Sequence, residues 1–134
     1  MKRVLIVDDD PLTLDFLEIV LRDAGYAPIR ASNPVEAYRQ VEKERPDLII
    51  TDVRMPVLDG IELCAVIRAQ HDVPMIIVTG SENVPQNGPV WDCHILKPID
   101  VPVLLENVRR LLEGADIERP GPKNRWLYGG AAAD

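Results

Sequence analysis

Four short apolar runs in this chain each stop on a residue that can do chemistry. Residues 4–7 end on Asp8, Asp9 and Asp10, and residues 48–50 lead through Thr51 to Asp52. Residues 74–78 end on Thr79, and Cys93–Leu96 ends on Lys97 and Pro98. Runs this short, rich in Val and Ile, suit strands buried on both faces of a parallel sheet. A carboxylate at the end of such a strand is costly to bury without a partner. Open parallel sheets also gather their ligands at the carboxyl ends of the strands. Unrelated accidents would scatter Asp8, Asp9, Asp52, Thr79 and Lys97 along the strands, so their common placement predicts one shared pocket.

Helical patterns fill the gaps. Pro11 suits a first helical turn, Leu14, Leu17, Val20, Leu21 and Ala24 recur at helical spacing behind it, and Gly25 closes the helix. Residues 26–31 predict a weaker strand near a sheet edge, because Pro28 would interrupt a central ladder. Asn33, Pro34 and Glu36 form a helix start, with Asn33 as N-cap and Glu36 placed to reach back as in a capping box. Val35, Tyr38 and Val41 are then expected inward, as are Leu63, Val66 and Ile67 on a third helix opened by Gly60. Asp100 caps a last helix with Leu104, Leu105, Val108, Leu111 and Leu112 at core spacing, closed by Gly114. Strands alternating with helices in this way predict a parallel sheet covered on both faces. Pro85, Gly88 and Pro89 would break a helix between the fourth and fifth strands, so residues 80–92 are expected to form a loop or a single turn. Val90 and Trp91 are the candidates for covering the sheet there.

A length of 134 residues suits one domain with a real core, expected over residues 1–114. Residues 115–134 turn to Pro, Gly and charge and read as a C-terminal tail with no output domain; Trp126 and Tyr128 within it are either incidental or a docking segment. A net charge of −7 argues against non-specific nucleic-acid binding. No apolar run reaches membrane-spanning length and no signal peptide is visible, so a cytoplasmic protein without a membrane anchor is expected. Cys64 and Cys93 lack metal-ligand spacing and are expected reduced and packed. His71, at a helix end, is expected to be exposed.

Asp8, Asp9 and Asp52 would meet as three carboxylates, which must either take up protons or bind a cation. Oxygen ligands select hard ions, and Mg2+ commonly takes one or two carboxylates while keeping waters. Lys97 and a Thr79 hydroxyl could then face the oxygens of an incoming phosphoryl group. A carboxylate so placed is equipped to accept phosphoryl as an acyl phosphate. Asp10 reads as a helix N-cap, and each of the others also has a plain alternative: Asp8 or Asp9 alone as helix caps; Thr79 as a satisfied strand-end hydroxyl; Lys97 as a solvated surface residue.

Taken in order, Asp8-Asp9, the phosphoacceptor candidate Asp52, Met55-Pro56, Asp59-Gly60, Thr79 and Lys97-Pro98 resemble the receiver domain of two-component response regulators, over about residues 3–114. The resemblance implies a flavodoxin-like, doubly wound five-stranded parallel sheet of order 2-1-3-4-5. It implies Asp52 as phosphoacceptor and Mg2+ held by Asp9 and Asp52, with Asp8 assisting through water and the backbone carbonyl of Arg54 completing the set. Thr79 would be the switch hydroxyl, and Lys97 would pair with the phosphate ahead of a cis bond to Pro98. The partner would be a sensor histidine kinase or phosphotransfer protein, and the protein a non-enzymatic, stand-alone regulator that acts by changed protein contact or onward relay.

Besides the expected lack of an output domain, the chain departs from that family in two places. His94 stands three residues before the lysine, where receivers usually carry Tyr or Phe, and is a variant switch position. The segment between Thr79 and Lys97 is short for a fourth helix. Val90, Trp91, Cys93, Trp126 and Tyr128 are therefore interface candidates, and a constitutive homodimer through this remodelled face is the alternative reading. An aspartate-nucleophile phosphatase is disfavoured, because such enzymes need a second acid two residues after the nucleophile, where Arg54 stands.

Overall fold

Strands form where branched apolar residues run, and helices start where a side-chain oxygen meets the free N–H groups of a first turn. This computed structural model describes residues 1–54, 59–80 and 90–114. The order within them is β1 (Arg3–Val7), α1 (Pro11–Asp23), β2 (Ala27–Ala31), α2 (Pro34–Glu44), β3 (Leu48–Asp52), α3 (Gly60–Arg68), β4 (Met75–Thr79), β5 (Cys93–Leu96) and α4 (Val101–Glu113). Asp10, Asn33, Asp59 and Asp100 are the N-caps, accepting from the N–H groups of Leu12, Glu36, Glu62 and Val103. The expected capping box at Asn33 is displaced by one residue: Glu36 reaches past the cap to the N–H and hydroxyl of Ser32, at 2.8 and 3.0 Å. The reciprocal box forms instead at Asp59 and Glu62. Gly25 and Gly114 take positive φ at helix ends, and so does Arg45, because Pro46 disfavours a helical residue before it.

All strand pairs are parallel, in the order β2-β1-β3-β4-β5. Pro28 accordingly lies on an edge strand. Alternation along the strands sends Leu5, Val7, Ile49, Met75 and Ile77 to one core, shared with Ala37 and Val41 of α2 and Leu63, Cys64 and Ile67 of α3. Val4, Ile6, Leu48, Ile50, Ile76 and Val78 go to the other, shared with α1 and α4. The sheet is thus doubly wound. Both cysteines are buried and free, and burial pushes the Cys64 thiol up to about 12.

Several side chains point elsewhere than the patterns predict. Val35, Val66 and Ala24 are exposed. The inward stripes run instead through Pro34, Ala37 and Val41 on α2 and through Leu63, Cys64, Ile67 and Arg68 on α3. Val41, Leu63 and Ile67 point inward as expected, while the other inward positions are small or polar (Ala37, Cys64, Arg68), which is why a search for large apolar side chains missed those. His71 is not free in solvent; its Nε2 lies 2.8 Å from Glu42 Oε2, joining the ends of α2 and α3, and this contact holds the Glu42 carboxyl below its usual range.

Among the described residues no helix separates β4 from β5, as the Pro and Gly residues of the sequence imply; residues 81–89 themselves lie outside the description. Val90 and Trp91 are buried in the α2/α3 core, so they do cover the sheet. Burial also corrects their other assignment: Val90, Trp91 and Cys93 are core residues and offer no exposed contact surface here. Trp126 and Tyr128, the rest of the tail, and Met55-Pro56 fall outside the described residues.

Candidate functional site

The chain leaves β1 for β2 on one side of the sheet and reaches β3 on the other, so a crevice opens between the carboxyl ends of β1 and β3. Asp8 and Asp9 follow β1 directly and Asp52 is the last residue of β3, which puts all three in that crevice. One carboxylate oxygen from each lies within 4.8 Å of the others. Asp8 and Asp52 are 3% and 7% exposed, whereas Asp9 is open to solvent. Asp10 stands apart as the N-cap of α1, and its Oδ2 also accepts from the Thr13 hydroxyl at 3.1 Å.

Lys97, just past β5, reaches across β4 to this cluster. Its Nζ lies 3.3 Å from Asp52 Oδ1 and 3.9 Å from Asp8 Oδ2. The Lys97 N–H donates to the Thr79 carbonyl at 2.9 Å, which ties the lysine to the end of β4. Thr79 is buried and one residue past Val78, the register partner of Asp52. The Lys97–Pro98 bond is cis. The five residues singled out in the sequence are therefore gathered at one end of the sheet.

Charge in the pocket is unbalanced. Among the described residues three carboxylates face one ammonium, and burial raises the Asp8 pKa to about 6; the Asp10 N–H at 2.9 Å and Lys97 oppose the rise, while the charges of Asp52 and Asp9 add to it. Such a set favours an added cation. An oxygen-only donor set spread over 4.8 Å fits a hard divalent ion held directly by one or two carboxylates and through water by the third.

Two further residues support the site without a clear sequence signal. Thr51, fully buried, donates its hydroxyl to the Asp52 carbonyl at 3.0 Å. Gly60 packs so closely that a Cβ there would lie 2.1 Å from the same carbonyl oxygen. A polar residue inside an otherwise apolar strand was the available hint for Thr51, and the turn-forming Asp59-Gly60 pair the hint for Gly60. His94, buried on β5 and paired in register with Ile77, alternates with Cys93 and Ile95 and so faces the α2/α3 side of the sheet.

Comparison with known proteins agrees with this geometry. The family model for the response regulator receiver domain matches residues 4–113. The DNA-binding response regulator MtrA of Mycolicibacterium smegmatis is 32% identical over 117 residues, covering 83% of this chain and 50% of that protein. Response regulator MprA of Mycobacterium leprae is 35% identical, covering 82% and 50%. The chain thus spans about half the length of the curated relatives it matches. Among solved structures, the Francisella response regulator 1452 receiver domain aligns with a TM-score of 0.78 at 26% identity, covering 87% of this chain and all of that one. A putative response regulator from Chloroflexus aurantiacus aligns at 0.75 and 33% identity, covering 84% and 98%. With the sheet order, the acidic crevice and the family match in agreement, the chain belongs to the response regulator receiver domain family of two-component systems.

Proposed function

We propose that Asp52 accepts a phosphoryl group from a phosphohistidine donor, a sensor histidine kinase or a phosphotransfer protein. The observation that carries this reading is the single-ended convergence of Asp52, Asp8, Asp9 and Lys97, with three acids against one base. In the transfer, an Asp52 carboxylate oxygen forms the new P–O bond as the P–N bond to the donor imidazole breaks; the electron pair stays on that nitrogen, and a proton already on the other ring nitrogen makes the leaving imidazole neutral, leaving an acyl phosphate on Asp52. Lys97, already 3.3 Å from Asp52, pairs with the phosphoryl oxygens. Thr79 offers its hydroxyl to the same oxygens from the end of β4. Asp9 and Asp52, with the Arg54 carbonyl and with Asp8 through water, would hold Mg2+, which neutralises charge on the transferring group.

The surface beside the pocket supports a protein donor. A groove of about 500 Å3 runs from Lys97 between α1 and the β5–α4 connection, walled by Leu12, Phe16, Pro98 and Ile99. Leu12, Phe16 and Ile19 leave an apolar stripe on the outer side of α1, with Leu12 74% exposed. The signal then depends on a partner that prefers one state over the other.

Acetyl phosphate with Mg2+ adds one base-labile phosphoryl group to the protein, read by intact mass, and Asp52→Asn abolishes it; modification that persists in the variant removes Asp52 from the role. Phe16→Asp slows transfer from a histidine protein by about tenfold, as the loss of a buried apolar contact would, and leaves labelling by acetyl phosphate unchanged. Equal slowing with both donors would detach the groove from partner binding.

A further inference from the structure

We propose that Thr51 is a positioning residue for the divalent-cation site: its hydroxyl, with Gly60, fixes the direction in which the backbone leaves Asp52. The inference rests on the reading of the Asp52 pocket as a Mg2+ site with Arg54 as a carbonyl ligand.

Thr51 is fully buried in a strand whose preceding residues are Leu48, Ile49 and Ile50. Alternation places it on the α2/α3 side with Ile49. Valine would fill the same volume with the same branching at Cβ, so packing alone does not call for a hydroxyl. A hydroxyl in such a place is unfavourable unless it is bonded. Its bond goes to the Asp52 carbonyl, at 3.0 Å.

Gly60 approaches that same carbonyl. A Cβ on Gly60 would meet the Asp52 oxygen at 2.1 Å, the Asp52 carbonyl carbon at 2.9 Å and the Val53 Cα at 3.0 Å. The next residue is held on both of its polar groups: Val53 N–H donates to the Val78 carbonyl at 3.1 Å, and the Val53 carbonyl accepts from Gly60 N–H at 2.8 Å. The two peptide units between Asp52 and Arg54 are thus fixed by a side-chain hydroxyl, a neighbouring strand and the first turn of α3.

Rotation about the Asp52 Cα–C bond would leave the Asp52 carboxylate where the strand puts it and would swing everything beyond. Arg54 is the first residue past the clamp. Loss of the Thr51 hydroxyl therefore weakens the cation site and spares the nucleophile. That separation distinguishes positioning from a general structural role, which would disturb both.

Calorimetric titration of the full chain with Mg2+ alone tests this, beside labelling by acetyl phosphate at saturating Mg2+. Thr51→Val weakens Mg2+ binding by about fivefold, the loss of one ordinary hydrogen bond, with the labelling rate at saturation unchanged. Thr51→Ser, which keeps the hydroxyl, stays within about twofold of the natural protein. Should Thr51→Val not fold, Thr51→Ala against Thr51→Ser isolates the hydroxyl in the same measurement. Equal affinity in the hydroxyl-bearing and hydroxyl-lacking variants overturns the inference alone, as does a Thr51→Ser variant as impaired as Thr51→Val. A natural protein that binds no Mg2+ overturns the pocket reading and the inference with it.

Discussion

Two groups of buried charge stand out among the described residues, and they are built on opposite rules. Towards the amino-terminal ends of β4 and β5, the fully buried Arg68 meets Asp92 at 3.0 Å, one cation to one anion. The same Asp92 oxygen accepts from Met75 N–H at 2.8 Å, and Asp92 N–H returns a bond to the Met75 carbonyl. At the carboxyl end, Asp8, Asp9 and Asp52 outnumber Lys97 by three to one. Among the described residues the first group pairs one cation with one anion, and it fastens α3 to the connection that enters β5. The second is left with excess negative charge beside an open groove, so it has capacity for a cation and a phosphoryl group. Balance marks a structural pair here, and imbalance marks the candidate site.

The contrast is sharpest in stability measurements. Arg68→Met leaves the Asp92 carboxylate buried without its guanidinium and destabilises the fold by about 3–5 kcal/mol, whereas the double change Arg68→Met, Asp92→Leu recovers much of the loss. Chemical denaturation measures both, and a mild effect of the single change would break the comparison from the structural side.

The opposite sign is expected at the other end. Asp8 keeps its proton to about pH 6 in the folded chain, against 3.8 as its ordinary value. Between those limits the folded state binds more protons than the unfolded one. Stability therefore falls as pH rises from about 4 to about 6 and levels off above that window. In Mg2+-free buffer at pH 7, Asp8→Asn raises stability by up to about 3 kcal/mol, and the gain vanishes near pH 4. A destabilised Asp8→Asn under those conditions would mean that the three-acid cluster is not strained by its own charge.

The smallest effect is expected on the surface of α4, where Arg109 pairs with Glu106 and Glu113 within its own helix. Exposed pairs are screened by solvent and contribute little. Arg109→Gln should melt indistinguishably from the natural protein. A clear loss would show that burial does not decide which of these pairs matter.

The candidate site was more legible in the sequence than the core was. Asp8, Asp9, Asp52, Thr79 and Lys97 each follow a short apolar run, and a parallel sheet brings all such positions to one end. Helix stripes were harder to read, because Ala37, Cys64 and Arg68 fill inward positions while Val35 and Val66 face water.

The sequence by itself determined the alternation of strand and helix, the caps at Asp10, Asn33 and Asp100, and the gathering of reactive groups at strand ends, since all of these follow from local pattern and chain direction. Tertiary structure alone decided that Arg68 would find Asp92 across 24 residues and that Gly60 would lie against the Asp52 carbonyl. Those outcomes depend on which surfaces meet after the sheet is assembled, and no local spacing encodes the meeting.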